Sequence, residues 1–583
     1  MKNRNILEKN RLPLAASAAI VLAASTVRAA DWPVWGGDGS RNMVSFEKVV
    51  TLDFDPGRMS EDEVVDMKTT KNIKWIAKLG SQAYGNVTIA DGRVYVGTNN
   101  ESPRDSDKKG LFVLLSNYED GLAFGPALQL HGTSAAPSKL LDAGPVAFST
   151  LCSADYDSDG DLDLFVGGRC QPGKYPSPVG SVILRNDGGQ FVRDEKGGAL
   201  LRNTGSVSAA VWTDLLGDHH PELVLACDPG LIRVYRNISG SLREVTAELG
   251  LEDRVGFWNS IAAGDFNGDG NMDLVAGNIG TNSEYELYVK DGITWHHGDL
   301  SGGGVHEVFE SYNGASPGKV LPIRNLAEVL RAIPFLRELY PTYAAYANAA
   351  STNILGERKS KLAAIRLTSL ESVVMINRGD TLDVIPLPLE AQLAPVFGIS
   401  VADFDGDGSE DLFLAQNFFG TRPNFPRMDA GRGLLLKGDG NAGFEPMTSA
   451  MSGIQLTGEQ RGSAVADFDR DGRVDLLAGQ NAGETKLYSN RLAQRGLRVT
   501  LSGHNGNSGS VGAKLRLGTE TKLGPAREVR AGGGYRSQDA TIQVLSLGDA
   551  TPTRLQVSWP SGKITTTEIA EGISEITVMD PSQ

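Results

Sequence analysis

The chain has 583 residues, 70 of them glycine, and a formal net charge of −15 at pH 7. This length is too great for one simple core, so we expect two or more structural units. The abundance of glycine favours turns and short strands over long helices. The acidic balance disfavours nucleic acid and anionic membranes as partners, and it suits cations. An odd number of cysteines cannot all pair within one chain, and buried free thiols are as consistent with the sequence as a disulfide; these residues are Cys152, Cys170 and Cys227.

The first 29 residues have the features of an export signal. A positively charged head is formed by Lys2, Arg4, Lys9 and Arg11. An apolar, alanine-rich stretch follows at residues 12–27, and small side chains precede Ala30. We therefore predict a signal peptide at residues 1–29 and an exported protein that is periplasmic, on the cell surface or secreted. A retained anchor is the alternative, although the stretch is short for a membrane span and no later segment reaches transmembrane length.

The first clear strand signal lies at residues 87–97. Two alternating apolar runs flank Asp91-Gly92, a pair that is typical of tight turns between antiparallel strands. We predict a β-hairpin at this position.

One pattern then recurs along the chain: an apolar run, an acidic loop that contains glycine, and a second apolar run. The first copy reads Asp155-Tyr-Asp157-Ser-Asp159-Gly160-Asp161-Leu-Asp163. Three further copies at residues 265–273, 403–411 and 467–475 complete the set that we call the intact loops. We number each loop from its first acid, which is position 1. Two further loops, at 214–222 and 299–307, lack the acid at position 3, and we call them the worn loops. Recurrence at intervals of roughly 35 to 65 residues indicates a repeat architecture.

The segments on both sides of each loop have strand character. In the third intact loop, Gly398-Ile-Ser-Val-Ala precedes the acids and Leu412-Phe-Leu-Ala follows them, so the loop joins two strands of a hairpin. With the hairpin at 87–97, the six loops make seven candidate blades. Radial repetition of small sheets shields their edges. We therefore predict an all-β protein in which residues 30–495 form a seven-bladed β-propeller.

The long gap between the loops at 299–307 and 403–411 carries the helix signal of the chain. Asn325 and Glu328 form the start of a capping box, and apolar residues follow at helical spacing until Pro334. A second helical stretch covers residues 343–355. We predict a helical insertion at about 323–360 that packs on the propeller, with a lid over a site as the alternative.

After Asn490 the pattern changes to alternating strands without acidic loops. We predict that residues 496–583 form a small β-domain.

The loops have the chemistry of calcium sites. Ca²⁺ takes six to eight oxygen ligands, and acids at positions 1, 3, 5 and 9 can wrap such an ion while glycine at position 6 permits a sharp reversal. Position 7 contributes its carbonyl, so its side chain is free to vary. We predict about four Ca²⁺ sites. The candidate ligand residues are Asp155, Asp157, Asp159, Asp161, Asp163, Asp265, Asn267, Asp269, Asn271, Asp273, Asp403, Asp405, Asp407, Ser409, Asp411, Asp467, Asp469, Asp471, Arg473 and Asp475.

The nearest competing motif is the EF-hand, in which a glutamate at position 12 completes the site. Position 12 here is apolar and lies in a predicted strand, so we predict hairpin loops rather than helix-flanked sites; the residues are Val166, Ala276, Leu414 and Ala478. The worn loops have Leu216 or Ser301 at position 3, and we expect no ion in either.

The loops resemble the repeats of the FG-GAP/VCBS propeller family, known from integrin heads, over roughly residues 145–490. The C-terminal segment resembles the ASPIC/UnbV domain, and the matching segments are Gly512-Ala-Lys-Leu-Arg-Leu, Arg527-Glu-Val-Arg-Ala-Gly, Gly534-Tyr-Arg-Ser-Gln and Trp559-Pro-Ser-Gly-Lys. This order of modules is similar to that of cartilage acidic proteins and many exported bacterial proteins. The resemblance implies that side chains at positions 1, 3, 5 and 9 of the intact loops are calcium ligands. It also implies a role in ligand binding, adhesion or matrix association.

A second resemblance raises an enzymatic alternative. Asp31-Trp-Pro-Val-Trp-Gly-Gly and Val94-Tyr-Val-Gly-Thr are similar to quinoprotein repeats, over about residues 31–100. Quinoprotein dehydrogenases usually carry adjacent cysteines near the quinone, and no two cysteines are adjacent here. We therefore predict a calcium-binding module that is not an enzyme and binds an extracellular protein or polysaccharide. A periplasmic propeller enzyme that uses the central face is the alternative.

Overall fold

The computed structural model describes residues 58–59, 65–69, 88–90, 93–98, 112–117, 121–123 and 147–582, apart from 172, 315–317 and 423–424. The described residues up to 69 belong to one compact unit, and those from 88 onwards belong to a second. The first unit has two paired strands, Arg58–Met59 and Val65–Asp66, and a 3-10 helix at Met67–Thr69. The predicted signal peptide and most of the quinoprotein-like segment lie outside the described residues.

The second unit begins with a four-stranded antiparallel sheet. Its strands are Thr88–Ala90, Arg93–Thr98, Phe112–Asn117 and Gly121–Ala123. The first two strands pair with each other, which confirms the hairpin predicted at residues 87–97.

Five further antiparallel sheets follow, which we name blades 1 to 5. Blade 1 consists of Ala147–Ala154, Asp163–Cys170, Val182–Asp187 and Gln190–Arg193. Blade 2 consists of Val207–Thr213, Glu222–Cys227, Ile232–Asn237 and Leu242–Glu244. Blade 3 consists of Ser260–Gly264, Asp273–Gly277, Val373–Asn377 and Leu382–Pro386. Blade 4 consists of Val396–Ala402, Asp411–Gln416, Leu434–Gly438 and Phe444–Met447. Blade 5 consists of Glu459–Ala466, Asp475–Asn481 and Lys486–Tyr488.

The first strand of each blade, its inner strand, packs against the inner strand of the next blade. The inner strand of blade 2 is buried along its whole length. Val211 of blade 2 shares one apolar cluster with Ile261 of blade 3, and Val275 of blade 3 shares another with Ile399 of blade 4. Burial between neighbouring sheets therefore drives the radial stacking, as the propeller prediction requires. Each loop joins the inner strand of its blade to the second strand, so the loops lie together at one end, the acidic-loop face.

The worn loop at 299–307 occupies a different place from the other loops. It joins two strands of a four-stranded sheet that is inserted between the second and third strands of blade 3. The strands of this inserted sheet are Ile293–Gly298, Glu307–Asn313, Val320–Pro322 and Ala363–Leu367. All seven predicted hairpins are present, but this one does not separate blades 3 and 4, whose inner strands are in contact. The local pattern predicts a hairpin and contains no information about which sheet the hairpin joins.

The helical insertion is present at the predicted position. The Asn325 side chain accepts a hydrogen bond from the Glu328 backbone N–H (3.1 Å), and the first helix ends at Ala332, ahead of Pro334. The insertion consists of helices Leu326–Ala332, Leu336–Leu339, Tyr343–Ala347 and Ser351–Leu355 and a 3-10 helix at Gly356–Lys361. Its apolar side chains cluster with Phe309, so it packs on the inserted sheet. Short helices elsewhere are Glu195–Leu200, Leu201–Asn203, Glu284–Leu287, Val289–Asp291, Leu389–Gln392, Ser449–Ser452 and Asn505–Asn507.

Residues 496–583, the C-terminal domain, contain two small sheets around a core that includes Val499, Leu515 and Trp559. One sheet consists of Leu497–Ser502, Gln543–Leu545 and Glu575–Met579. The other consists of Lys514–Gly518, Arg527–Glu528, Arg554–Ser558 and Ile564–Glu568. None of the helices in the described part of the chain has the length and hydropathy needed to cross a bilayer.

One segment of the C-terminal domain, residues 531–540, leaves its own sheets and enters the propeller; we call it the axial hairpin. Its strand Ala531–Gly532 pairs antiparallel with the inner strand of blade 1, with Gly532 opposite Cys152. Further along, the Gly534 N–H donates to the carbonyl of Ala210 on blade 2 (3.0 Å). The segment therefore runs from the acidic-loop face towards the opposite face.

The axial hairpin then turns and runs back along blade 5. The Ala540 N–H donates to the Val465 carbonyl (3.0 Å), and the Val465 N–H donates to the Asp539 carboxylate (2.9 Å). A side chain is not tolerated where the hairpin meets blade 1, because a Cβ on Gly532 would lie 2.4 Å from the Leu151 carbonyl oxygen. The hairpin thus contacts the inner strands of both the first and the last blade.

Candidate metal centres

Every intact loop closes through the same two backbone hydrogen bonds. The acid at position 1 accepts the N–H of the glycine at position 6; the pairs are Asp155–Gly160 (3.1 Å), Asp265–Gly270 (2.8 Å), Asp403–Gly408 (2.9 Å) and Asp467–Gly472 (3.0 Å). The acid at position 5 accepts the N–H of position 7. These glycines have positive φ values between 83° and 96°, which confirms the predicted reversal and disfavours any other residue there.

The acid at position 9 clamps three strands of its blade together. In blade 4, Asp411 Oδ2 accepts the N–H of Phe404 in the loop, and Oδ1 accepts the N–H of Gly438 on the third strand, both at 2.8 Å. The equivalent acids of the other intact loops make the same two bonds; they are Asp163, Asp273 and Asp475. Position 9 therefore sets the shape of the loop before any ion binds, and each of its oxygens keeps a second lone pair for a ligand role.

The loops bring their carboxylates close together. In blades 1, 4 and 5, oxygens of the acids at positions 1, 3 and 9 all lie within 4.8 Å of one another. These sets are Asp155, Asp157 and Asp163; Asp403, Asp405 and Asp411; and Asp467, Asp469 and Asp475. The worn loop of blade 2 forms a similar group from Asp214, Asp218 and Glu222. The sequence did not suggest this group, because the loop has Leu216 and not an acid at position 3.

Two loops hold buried carboxylate oxygens that lack a donor. Asp155 Oδ1, Asp157 Oδ1 and Asp265 Oδ1 are buried without a hydrogen-bond partner among the described residues. Burial and the neighbouring carboxylates of Asp159 and Asp157 raise the pKa of Asp155 to about 6. An ionised carboxylate oxygen requires a hydrogen-bond donor or a cation as its partner, and the described residues supply no donor to these three oxygens. The loops of blades 1 and 3 therefore fit a hard cation.

Basic side chains lie on the acids of several loops. In blade 1, Arg185 Nε is 3.7 Å from Asp157 Oδ2. Lys437, from the third strand of blade 4, contacts Asp405 and also Asp407 (2.9 Å). This lysine is partly exposed and flexible, so an ion can take its place. Arg498 of the C-terminal domain binds Asp467 in blade 5 at 2.5 Å, and both side chains are buried.

Basic side chains also pair with the acids of the worn loop of blade 2. Lys514 of the C-terminal domain lies 2.6 Å from Asp214, and Arg236 lies 3.0 Å from Asp218. Because two fixed positive charges occupy these acids, the loop does not need a metal ion to balance its charge.

The C-terminal domain reaches all five loops of blades 1 to 5. Hydrogen bonds or ion pairs join Gly506 to Leu162, Lys514 to Asp214, Ala526 to Asp265, Arg527 to Glu410, and Arg498 to Asp467. The C-terminal domain therefore packs on the acidic-loop face and covers part of every loop of blades 1 to 5.

Sequence reasoning missed a set of asparagines that connect neighbouring blades. Asn377, at the end of the third strand of blade 3, donates to the carbonyl of Leu215 in the blade 2 loop (2.6 Å). Asn237 and Asn490 make the same bond to Tyr156 and Phe404 of the preceding loops, both at 2.7 Å. The signal was available as an asparagine at or just after the end of the third strand in blades 2, 3 and 5, for example in Tyr-Arg-Asn237 and Tyr-Ser-Asn490. The loops of blades 1, 2 and 4 are thus held both by their own blade and by the next one.

The three cysteines, all in the described part of the chain, are unpaired thiols; Cys152 and Cys227 are buried. This agrees with the interpretation of small apolar side chains and leaves no disulfide in the fold.

The fold and these loops define an all-β propeller with acidic, metal-compatible hairpin loops, capped by a small β-domain. Family models agree with this description: the chain contains FG-GAP-like repeats at residues 214–276 and 403–478, and an ASPIC and UnbV domain at residues 503–583. The resemblance drawn from the loops and from the C-terminal segments is thereby confirmed.

Curated relatives include cartilage acidic protein 1 of Xenopus tropicalis, which is 27% identical over 187 residues, covering 31% of this chain and 28% of that protein. The Homo sapiens cartilage acidic protein 1 is 24% identical over 187 residues, covering 31% and 27%. The chain therefore spans less than a third of the length of these relatives.

Similar solved structures include the V. cholerae biofilm matrix protein Bap1, at 12% identity and a TM-score of 0.27, covering 78% of this chain and 84% of that one. The rhamnogalacturonan lyase YesW has 12% identity and a TM-score of 0.22, covering 76% and 75%.

Proposed function

We propose that this protein is an exported, calcium-stabilised binding module that uses the face of its propeller opposite the acidic loops. The proposal rests mainly on the contacts of the C-terminal domain with all five loops of blades 1 to 5. These contacts leave the opposite face of the propeller for an extracellular protein or polysaccharide. FG-GAP-like repeats and the similarity to cartilage acidic proteins support an extracellular, adhesion-type role.

Calcium in this proposal has a structural task. The loops of blades 1 and 3 bind it through oxygens that otherwise lack a donor, as at Asp155 and Asp265. The blade 4 loop binds it after Lys437 moves aside. The blade 5 loop binds it most weakly, because the ion must compete with the buried guanidinium of Arg498 for Asp467. Bound ions remove carboxylate repulsion, and this stabilises the surface on which the C-terminal domain rests.

The enzymatic alternative would use the central face of the propeller. The axial hairpin occupies the channel behind this face. The cavity left beside the hairpin is about 70 Å³ and is lined by residues such as Ile399, Asp467 and Arg530. Ligand pockets have volumes of about 300–1,000 Å³, and a water molecule takes about 30 Å³. In the described part of the chain, the axial hairpin thus takes up space in which a central catalytic pocket would lie, and this supports the binding module.

Calcium titration of the full chain by calorimetry tests this proposal. We expect binding of about four ions, with three sites stronger than the fourth, and a higher melting temperature in calcium than in chelator. Arg498→Ala should strengthen the weakest site, since it removes the competing cation. Arg337→Ala, at an exposed position of the helical insertion, is the matched control and should change nothing.

Two results would contradict the proposal. Identical melting curves in calcium and in chelator would remove the structural role of the ion. Dye reduction above background after reconstitution with a quinone and an alcohol or sugar would favour the enzyme instead.

A further inference from the structure

A cluster of aromatic and arginine side chains lies on the propeller face opposite the acidic loops. Its members, which we call the basic–aromatic patch, are Phe397, Phe418, Phe419, Arg427, Tyr535 and Arg536. Phe397 is at the beginning of the inner strand of blade 4, and Phe418 follows the second strand of that blade. Both positions are at the end of the strands that is remote from the loop, about 20 Å away for a strand of seven residues.

The turn of the axial hairpin supplies the centre of this patch. The Tyr535 ring packs edge-on against Phe397 with centroids 5.4 Å apart, and Phe397 lies 6.2 Å from Phe418. The hairpin therefore carries residues of the C-terminal domain through the propeller and presents them at the far face.

Two guanidinium groups in the patch are held over rings. Arg536 lies over Tyr535 at 5.4 Å, and Arg427 lies over Phe419 at 5.0 Å. Both arginines are exposed, and neither has a carboxylate partner among the described residues. The patch contrasts with the net charge of −15 of the whole chain.

Two further arginines at this end of the propeller are already paired with carboxylates. Arg461 lies over the Phe397 ring at 4.0 Å and forms an ion pair with Glu459 at 2.7 Å, and Arg169 is bound to Asp228. Their contribution is to pack the base of the patch. The exposed guanidinium groups that lie over rings of the patch are thus those of Arg427 and Arg536.

We propose that the basic–aromatic patch binds a polysaccharide that carries carboxylate groups, a polyuronate. The planar guanidinium matches a carboxylate through two parallel hydrogen bonds, and an arginine already held on a ring loses less freedom when it binds. The half-buried rings of Phe418, Phe419 and Tyr535 offer apolar faces to the C–H side of sugar rings. A stiff polymer presents such faces and charges at fixed spacing, and it pays less ordering entropy than a flexible acidic peptide.

This inference names the ligand class of the proposed binding face and rests on that proposal. It is tested with the full chain in a buffer of constant calcium concentration. Binding of a hexasaccharide that contains glucuronate is compared with binding of the same sugar after reduction of its carboxylates to alcohols, and with polyglutamate. Calorimetry or surface plasmon resonance gives the dissociation constants.

We expect measurable binding of the hexasaccharide and at least about tenfold weaker binding of the reduced sugar, since a bond between charged groups is lost. Arg536→Ala and Arg427→Ala should each weaken binding of the hexasaccharide by about tenfold or more. Arg536→Lys should recover part of the loss, because it retains the charge without the planar fork. Arg337→Ala is the matched control and should bind as the unaltered chain does. All variants should keep the melting temperature in calcium, because these side chains are exposed.

Three results overturn the inference: no binding of the hexasaccharide, equal binding of the reduced sugar, or an equal loss in the control variant. Polyglutamate binding as tight as that of the sugar also overturns it, because the ligand would then be an acidic peptide. Failure of calcium to raise the melting temperature would contradict the proposed structural role of calcium and would leave the binding result unaffected, so the two ideas fail separately.

Discussion

In the loop of blade 4, the acid proposed to bind calcium is distinct from the acid that joins the loop to the third strand. Asp405 at position 3 is partly exposed and contacts Lys437, whereas Asp411 at position 9 is buried and accepts two backbone N–H groups. Asp405→Asn keeps the shape and one acceptor oxygen but removes a charged ligand. Asp411→Asn replaces one acceptor by a donor that faces a backbone N–H. We therefore expect the two substitutions to depend differently on calcium.

The magnitudes follow from these contacts. At a free calcium concentration about 100-fold above the dissociation constant, one site contributes about 2.7 kcal/mol to the free energy of unfolding. For a cooperative unit of roughly 430 residues, with an unfolding entropy of about 0.9 kcal/mol/K, this corresponds to about 3 °C in melting temperature. Asp405→Asn should show this loss in calcium and little change in chelator, since removal of one of several repelling carboxylates offsets the lost contact with Lys437. Asp411→Asn should cost about 1–3 kcal/mol in both buffers, because a buried N–H is left without an acceptor.

Differential scanning calorimetry of both variants, each in calcium and in chelator, measures these four values. The control is Asp218→Asn in the worn loop of blade 2, where Arg236 replaces a metal ion; its loss should be the same in both buffers. An equal loss for Asp405→Asn in calcium and in chelator would refute its assignment as a ligand. A loss for Asp411→Asn that appears only in calcium would refute the clamp.

Three further predictions concern pH, the axial hairpin and export. Burial raises the pKa of Asp411 to about 8 and that of Asp403 to about 7, well above their value of about 4 in the unfolded chain. The metal-free protein should therefore lose stability as pH rises from about 4 to about 8. The calcium-loaded protein should instead lose stability on acidification, because protons compete with the ion for the carboxylates. Melting curves at pH 5, 6, 7 and 8 with and without chelator check this, and parallel trends would count against it. Gly532→Ala should lower the melting temperature by about 2–4 °C, because the added Cβ would lie 2.4 Å from the Leu151 carbonyl oxygen. The control Gly303→Ala, at an exposed glycine without a close backbone neighbour, should leave the melting temperature nearly unchanged. Equal effects of the two substitutions would show that the hairpin is not packed as described. Mass spectrometry of mature protein from its native host should find an N-terminus at Ala30, and an N-terminus at Met1 would contradict the predicted cleavage.

Features that depend on neighbouring residues were predictable from the sequence. The turn glycine at position 6 and the cap at Asn325 each follow from a pattern of a few residues, and the structure confirms both. The assignment of hairpins to the loops succeeded for the same reason, because apolar alternation on both sides of a turn has one common solution. The acids of the intact loops were recognised from their spacing, and the structure brings most of them together.

Features that depend on distant pairing were not predictable. Nothing local to residues 293–313 shows that their sheet is inserted into blade 3, since the decisive contact is between Leu274 and Met375 of that blade. The axial hairpin is a second case: its run of three glycines from Gly532 signals close approach of backbone but does not identify the strand approached. The basic residues of the C-terminal domain that lie on the loops carried no pattern at all, because their partners are set by docking.

The axial hairpin also fixes the order in which this molecule can be completed. Its contact with blade 1, such as the hydrogen bond from Thr150 to the Gly534 carbonyl (3.4 Å), joins residues 384 positions apart in the chain. A chain made from its N-terminus has finished every blade before the segment that fills the channel exists. Until then the inner strands border an open channel, and the acids of the loops face one another without the arginines and lysines of the C-terminal domain. Contacts of such long range form slowly. The channel can therefore be filled only after the C-terminal domain has been synthesised, so the packing of the first described blades depends on residues that come last in the chain.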